Sequence, residues 1–477
     1  MTPDLQHLIA GRWSRGSGTE TMPVVNPATE EVIGHLPLAT KEDLDQALAS
    51  AERGFHEWRA ALPTERSAVL RNFARLIRES AEPLAAAITG EQGKPLAEAR
   101  NEVAATAELT EWLAEESRRI YGRIVPSRYR NTRILVTHEP VGPVAAFSPW
   151  NFPCMMAARK IAHAVAAGCS VVLKPSEETP GTAVLLGRLV LEAGIPKDVV
   201  NIVFGHPAQV SDYLIDSPII KKVNLTGSVP VGKHVAQRAA RQLKKVTLEL
   251  GGHSPAIVMP DADVEKVADL CWKARYRNAG QVCTAPTRFF VHASVADRFI
   301  DRFAAGAASL KVGAGTEPSS TMGPVANRRR LEAMQTLVAD ALARGGSVLT
   351  GGERLGNRGF FFAPTVLRDV PADADIMRIE PFGPVAPVAT FDDLDAVIHE
   401  ANALPYGLAS YAFTGSHSVA ARLAAELKAG VVALNGVTVT APEAPFGGVG
   451  DSGIGREAGI EGLLEHTTIK TVLETFD

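Results

Sequence analysis

The sequence predicts an α/β protein built from two parallel-sheet domains and a projecting β arm. Three observations carry this. Between Glu139 and Gly251, short apolar β-type runs alternate with helical stretches, the pattern of a parallel sheet covered on both faces. After Gly252 the alternation restarts, and 477 residues exceed what one core ordinarily holds. Two further β-type stretches, Gly122–His138 and Thr468–Glu474, belong to neither alternation.

Residues 11–38 are short extended pieces broken by Gly and Pro, with Val24-Val25 and Val32-Ile33 as strand candidates. A helix is expected over about 41–59, with Thr40 as N-cap and Asp43 completing a capping box. A second starts near Pro63-Thr64 and carries Leu70, Phe73, Leu76 and Ile77 on one face; a third spans about 95–120. Gly122–His138 reads as a hairpin. Strands are expected at 141–147, 170–173, 199–203, 222–225 and 245–250, with helices at about 154–167, 180–194, 207–216 and 229–242. The second domain opens with a strand at 255–258, a helix at about 263–278 and a strand at 288–291. Further α/β units follow at 361–367, 384–391, 394–402, 409–414, 419–428 and 430–435. The tail is a single strand, an orphan edge unless it pairs. Hairpin and tail together suggest an oligomerisation arm.

Composition narrows the function classes. The formal net charge is -4, with basic residues scattered, so there is no electrostatic reason to expect nucleic acid or an anionic membrane as partner. Arg328-Arg329-Arg330 reads as a solvated helix face. The longest apolar stretches, near 161–173, are shorter than the roughly 18 residues of a spanning helix. No signal-type apolar core begins the chain. Four cysteines without a C-x-x-C pair make neither a disulfide framework nor a zinc site. A reducing, cytoplasmic setting and no metal are expected.

Chemistry is sought in the loops that follow strands. Cys283 follows a glycine-bearing turn, Gly280-Gln281-Val282, and a basic stretch from Lys273 to Arg277. That setting favours a reactive thiolate. Glu249, in Glu249-Leu250-Gly251-Gly252, can activate a water. The other such loops are Ser148–Pro153, Lys174–Glu177 and Thr226-Gly227-Ser228.

Together these pieces resemble the NAD(P)-dependent aldehyde dehydrogenase superfamily, over nearly the whole chain. The matching motifs, in order, are Pro149–Pro153, Lys174–Glu177, Thr226–Ser228 with Gly232, Glu249–Gly252, Gly280–Cys283, Glu380–Pro384 and Pro445–Gly448. The resemblance implies an aldehyde dehydrogenase-like α/β fold: a Rossmann-type cofactor domain, an α/β catalytic domain and a β oligomerisation arm. The segments are 1–120 and 139–251 for NAD binding, 252–450 for catalysis, and 121–138 with 465–477 for the arm.

It also implies roles. Cys283 would attack the aldehyde to form a thiohemiacetal. Asn151 and the Cys283 backbone N–H would hold the oxyanion, and Glu249 would be the base that hydrolyses the thioester. Lys160 and Glu457 fall where the family places a proton relay. For the cofactor, Gly227, Ser228 and Gly232 open a helix that can face a pyrophosphate. Trp150, Lys174, Ser176, Glu177, Leu250, Glu380 and Phe382 complete the set. Glu177 would repel a 2′-phosphate, so NAD is favoured, while Ser176 keeps NADP open. Val229 stands where threonine is usual and Gly450 where lysine is common. Arg159 and Arg277 match positions that hold the substrate carboxylate in succinate semialdehyde dehydrogenases; the family's third contact, a serine, is replaced here by Thr440 or its neighbour Ala441, and Thr440 could still donate a hydrogen bond. The implied substrate is an ω-semialdehyde of the succinate semialdehyde or 2-oxoglutarate semialdehyde class, with neutral aliphatic or aromatic aldehydes as the alternative. The implied assembly is a homodimer or homotetramer.

Overall fold

The computed structural model describes residues 3–477; Met1 and Thr2, which begin the expected 1–120 segment, lie outside the described residues. Five parallel strands form the centre of an eight-stranded sheet: Lys245–Leu250, Lys222–Gly227, Val144–Phe147, Val171–Lys174 and Val200–Ile202, in that spatial order. Chain order runs outward in both directions from Val144–Phe147. The reversal falls between that strand and Lys222–Gly227, so a crevice opens beyond their carboxyl ends. Four helices cross the faces: Pro153–Ala167, Pro180–Glu192, Pro207–Asp216 and Val229–Ala240. Each carries proline in its first turn, where the missing N–H would have had no helical partner.

The second sheet has seven strands, in the order Ser347–Thr350, Thr365–Arg368, Val385–Phe391, Arg288–His292, Pro255–Val258, Ala409–Phe413 and Val431–Leu434. All pair in parallel except the first. A core of Phe289, Phe299 and Phe303 packs beneath it. The chain then returns to the first sheet, where Gly453–Ile454 pairs antiparallel beside Glu249.

Three local expectations are corrected, and the tail, left open by the sequence, finds a partner. The tail is no orphan edge: Thr467–Thr475 pairs antiparallel along the whole of Thr132–Pro140, which pairs in turn with Arg123–Val125. The strand expected from Phe361 begins only at Thr365. A helix at Ala81–Gln92 stands between the second and third expected helices. A hairpin of His7–Ile9 and Arg12–Ser14 extends the first sheet. Its turn places Ala10 and Gly11 at φ 52° and 73°. A two-residue turn of that kind is ordinarily announced by Asn-Gly or Asp-Gly, and alanine hides it. Among the described residues, no helix is long and apolar enough to cross a membrane.

Candidate active site

Cys283 lies between the helix Val264–Tyr276 and the strand Arg288–His292. The helix ends two residues earlier than expected because Arg277 turns extended, with ψ 136°. Asn278, Ala279 and Gly280 then follow in the left-handed region, at φ 53°, 51° and 72°. For Asn and Ala that conformation costs roughly 1–2 kcal/mol each. Surrounding groups hold it. Glu98 accepts from the Asn278 N–H at 2.8 Å, and Gln281 donates from Nε2 to the Asn278 carbonyl at 3.0 Å. The fully buried Arg275 donates to the carbonyls of Gly280, Gly383 and Val385. A Cβ on Gly280 would collide with the Gly383 carbonyl.

Cys283 itself is half-buried. Burial, then the charges of Glu380 and Glu249, push its thiol up to about 12, against the opposing pull of Arg159 and Arg277. Burial and these carboxylates disfavour the expected thiolate in the resting site. Of the basic stretch before it, Arg275 is spent on carbonyls and only Arg277 acts on the sulfur. Across from this turn, the Asn151 amide donates from Nδ2 to the Gln281 carbonyl at 3.1 Å. That bond fixes which end of the amide faces the Cys283 loop.

Glu249, the last residue but one of its strand, is buried, and neither carboxyl oxygen has a hydrogen-bond partner among the described residues. Oε1 lies against Gly447, where a Cβ would sit 2.6 Å away. Burial and the nearby Glu457 raise its pKa well above the ordinary carboxylate value, while Arg159 and Lys160 oppose the shift. Glu457 behaves oppositely. Burial would raise it, but Lys160 and Arg159 hold it down to about 2. Lys160 reaches Glu457 at 3.1 Å, Asn224 at 2.8 Å and Thr226 at 2.9 Å. Two buried carboxyl groups thus share one cationic pair and are pushed in opposite directions, Glu249 up and Glu457 down. Such a division suits proton transfer.

The crevice at the sheet reversal is a cavity of about 540 Å³. Trp150, Lys174, Ser176, Glu177, Gly227 and Ser228 line it, as does Glu178. The helix from Val229 starts at its wall without a side-chain cap, so first-turn N–H groups remain available to an anion. Gly232 does not touch the cavity. A Cβ there would collide with Leu250, so both residues set how closely this helix packs on the sheet. Glu177 pairs with Lys174 at 2.6 Å. Trp150 meets Phe382 edge-on at 5.4 Å, and Phe382 is left-handed at φ 42°. Glu380 lies against Gly251, with Oε1 buried and unpartnered; burial raises its pKa to about 7. An anion-binding helix start, a close-packed glycine and an unpartnered carboxyl beside the nucleophile turn fit a dinucleotide spanning the crevice.

The three residues expected at a substrate anion differ in setting. Arg159 is buried and 3.4 Å from Glu457. Arg277 is exposed, sits over the Phe152 ring at 5.5 Å, and pairs with no carboxylate among the described residues. Thr440 is exposed on the loop before Phe446.

Some contributors escaped the sequence reading. Glu178, next to Glu177, accepts from Ser176 at 2.5 Å and from Arg329 at 2.7 Å. Arg330 is not on a solvated face, since it donates to the Pro381 carbonyl at 2.6 Å beside Glu380. Three arginines opening a helix oppose its dipole, and that mismatch was the available signal.

An aldehyde dehydrogenase family model matches residues 13–472. The 4-(hydroxymethyl)benzenesulfonate dehydrogenase TsaD1 of Comamonas testosteroni is 49% identical over 456 residues, 96% of this chain and 95% of that protein. A succinate semialdehyde dehydrogenase of Acinetobacter baylyi is 40% identical over 466 residues, 98% of this chain and 96% of that protein. An Escherichia coli NADP-dependent enzyme superposes with a TM-score of 0.98 at 38% identity, covering 99% of this chain and 98% of that one.

Proposed function

Because the chain belongs to the aldehyde dehydrogenase family, we propose that it oxidises an aldehyde bearing a distal anion, of the succinate semialdehyde or 2-oxoglutarate semialdehyde class, to the corresponding diacid. The thiol of Cys283 gives its proton to solvent water, and the sulfur adds to the carbonyl carbon. The Asn151 amide donates to the oxyanion. NAD, held along the crevice from Ser228 to Lys174, supplies the hydride acceptor when bound, and NADP is admitted through Ser176. A thioester remains on Cys283. Glu249 takes a proton from water, the hydroxide attacks the thioester, and the acid departs with the thiol restored. Lys160 and Glu457 hold and pass on the proton.

The observation that carries the substrate reading is Arg277, an exposed guanidinium that has no ion-pair partner among the described residues and lies beside Phe152 and the Cys283 turn. A charge-assisted bond is worth about 1.5–3 kcal/mol, so Arg277→Ala is expected to raise KM for succinate semialdehyde roughly 10- to 100-fold. Neutral aldehydes should change little. Equal losses on both substrates would make Arg277 structural.

A second reading has its own support. Arg159 is engaged by Glu457, which leaves one arginine rather than two for the anion. The Comamonas relative is named for an aromatic sulfonate. The first point favours a neutral aliphatic or aromatic aldehyde and the second an aromatic one that still bears an anion, and a panel of aliphatic and aromatic aldehydes with and without a distal carboxylate or sulfonate separates them.

For assembly we infer a homodimer or homotetramer through the β arm. Ile124 and Ile469 are each 69% exposed there and Leu473 is 58% exposed, an apolar surface that an isolated chain would leave wet. Ile469→Lys with Leu473→Lys is expected to lower the mass read by light scattering. An unchanged mass would move the interface elsewhere.

A further inference from the structure

We propose that Lys94 is a positioning residue that holds the Asn151 amide in register with the nucleophile turn. The inference rests on the roles just given to Asn151 and Cys283. Lys94 precedes the helix Leu96–Glu116, and its side chain is wholly buried. Its ammonium donates to Glu102 at 2.6 Å and to the main-chain carbonyl of Asn151 at 2.7 Å. It also lies 4.0 Å from the centre of the Phe152 ring. The other oxygen of Glu102 accepts the N–H groups of Cys154 and Met155, at 2.9 and 3.2 Å. These N–H groups open the helix that follows Asn151 and have no helical partner.

A second arm joins this cluster to the cysteine loop. The Asn278 amide donates to the Asn151 carbonyl at 2.9 Å and to the Gln281 carbonyl at 3.3 Å. Gln92 orients that amide through its oxygen at 2.8 Å, and the Gln92 oxygen accepts from the Lys94 N–H at 3.0 Å. The Gln281 carbonyl is also the acceptor of the Asn151 side chain. Residues 151 and 281 are thus stapled through both carbonyls. One Nδ2–H of Asn151 is committed to Gln281, and the other is left for an oxyanion.

Stability alone is a poor reason for such a pair. A buried ion pair is often replaceable by apolar residues at no loss. What apolar residues cannot supply is the bond to the Asn151 carbonyl. Misplacing a donor by about 1 Å costs roughly 100-fold in rate.

The test is a double-mutant cycle read as single-turnover NADH formation at saturating NAD, with propanal and with succinate semialdehyde. Lys94→Met is expected to slow this phase roughly 100-fold, with KM for aldehyde and NAD affinity unchanged. In an Asn151→Ala background the same substitution should cost less than about threefold, because no amide remains to be positioned. An equal loss in both backgrounds overturns the proposal and makes Lys94 a general structural residue. An Asn151→Ala enzyme of unchanged rate overturns the oxyanion assignment instead. Should Lys94→Met not fold, Asn278→Gly decides. It keeps the left-handed turn without strain and removes the staple, and the same non-additivity is required of it.

Discussion

Cys283→Ala is expected to abolish NADH formation in the first turnover as well as in steady state, a loss of at least about 10⁴-fold. Addition to the carbonyl needs a nucleophile, and no other sulfur can take the place of this one. Cys154, Cys169 and Cys271 are wholly buried, and burial raises the thiol pKa of each. Cofactor binding should survive, because Cys283 does not line the crevice. The variant therefore separates binding from chemistry, with NAD affinity retained and turnover gone. Iodoacetamide gives an independent check. With the thiol pushed up to about 12, the resting wild-type enzyme should alkylate slowly at pH 7 and faster as pH rises, since the thiolate is the reacting form. A Cys283→Ala enzyme that keeps its turnover would end this mechanism, and fast alkylation at pH 7 would contradict the resting thiol.

The parts of this site that were legible in the sequence are those where chemistry and position coincide in one short motif. The parallel strands read well because their residues are buried on both faces. Val171–Lys174 and Val144–Phe147 are continuous apolar runs that end at the crevice. Cys283 and Asn151 each sit in a compact loop after a regular element, and Glu249 sits at the end of a strand that runs into one. Contacts spanning the chain were not legible. Lys94 meets Asn151 from far upstream, and no periodicity announces such a pair. The same holds for the tail, whose partner strand lies in the hairpin at Thr132–Pro140. Electrostatic state was also hidden. Nearby arginines pointed to a thiolate, but Arg275 turns its guanidinium to carbonyls while the charges of Glu380 and Glu249 act on the sulfur. Sequence proximity to a charge does not fix the field at a buried atom.

Glu249→Gln should divide the reaction in two. The first turnover should still produce about one NADH per subunit, because Cys283 and Asn151 are untouched. Thioester hydrolysis should then fall roughly 10²- to 10⁴-fold, the range of general base catalysis. The pH dependence follows from the charge arrangement. Burial and Glu457 raise the pKa of Glu249, so its neutral form persists to higher pH than an ordinary carboxylate would allow. A neutral carboxyl cannot take a proton from water. Where hydrolysis limits turnover, kcat should therefore increase with pH through a limb lying above the usual carboxylate range. Glu457→Gln removes the neighbouring anion and leaves Lys160 and Arg159 acting on Glu249 alone. Its pKa should fall, and the limb should move to lower pH. In Glu249→Gln the limb should vanish. A single-turnover trace of Glu249→Gln without NADH would place this residue in thiol activation rather than hydrolysis. A limb that stays in place in Glu457→Gln would mean that the like charge of Glu457 does not govern the base.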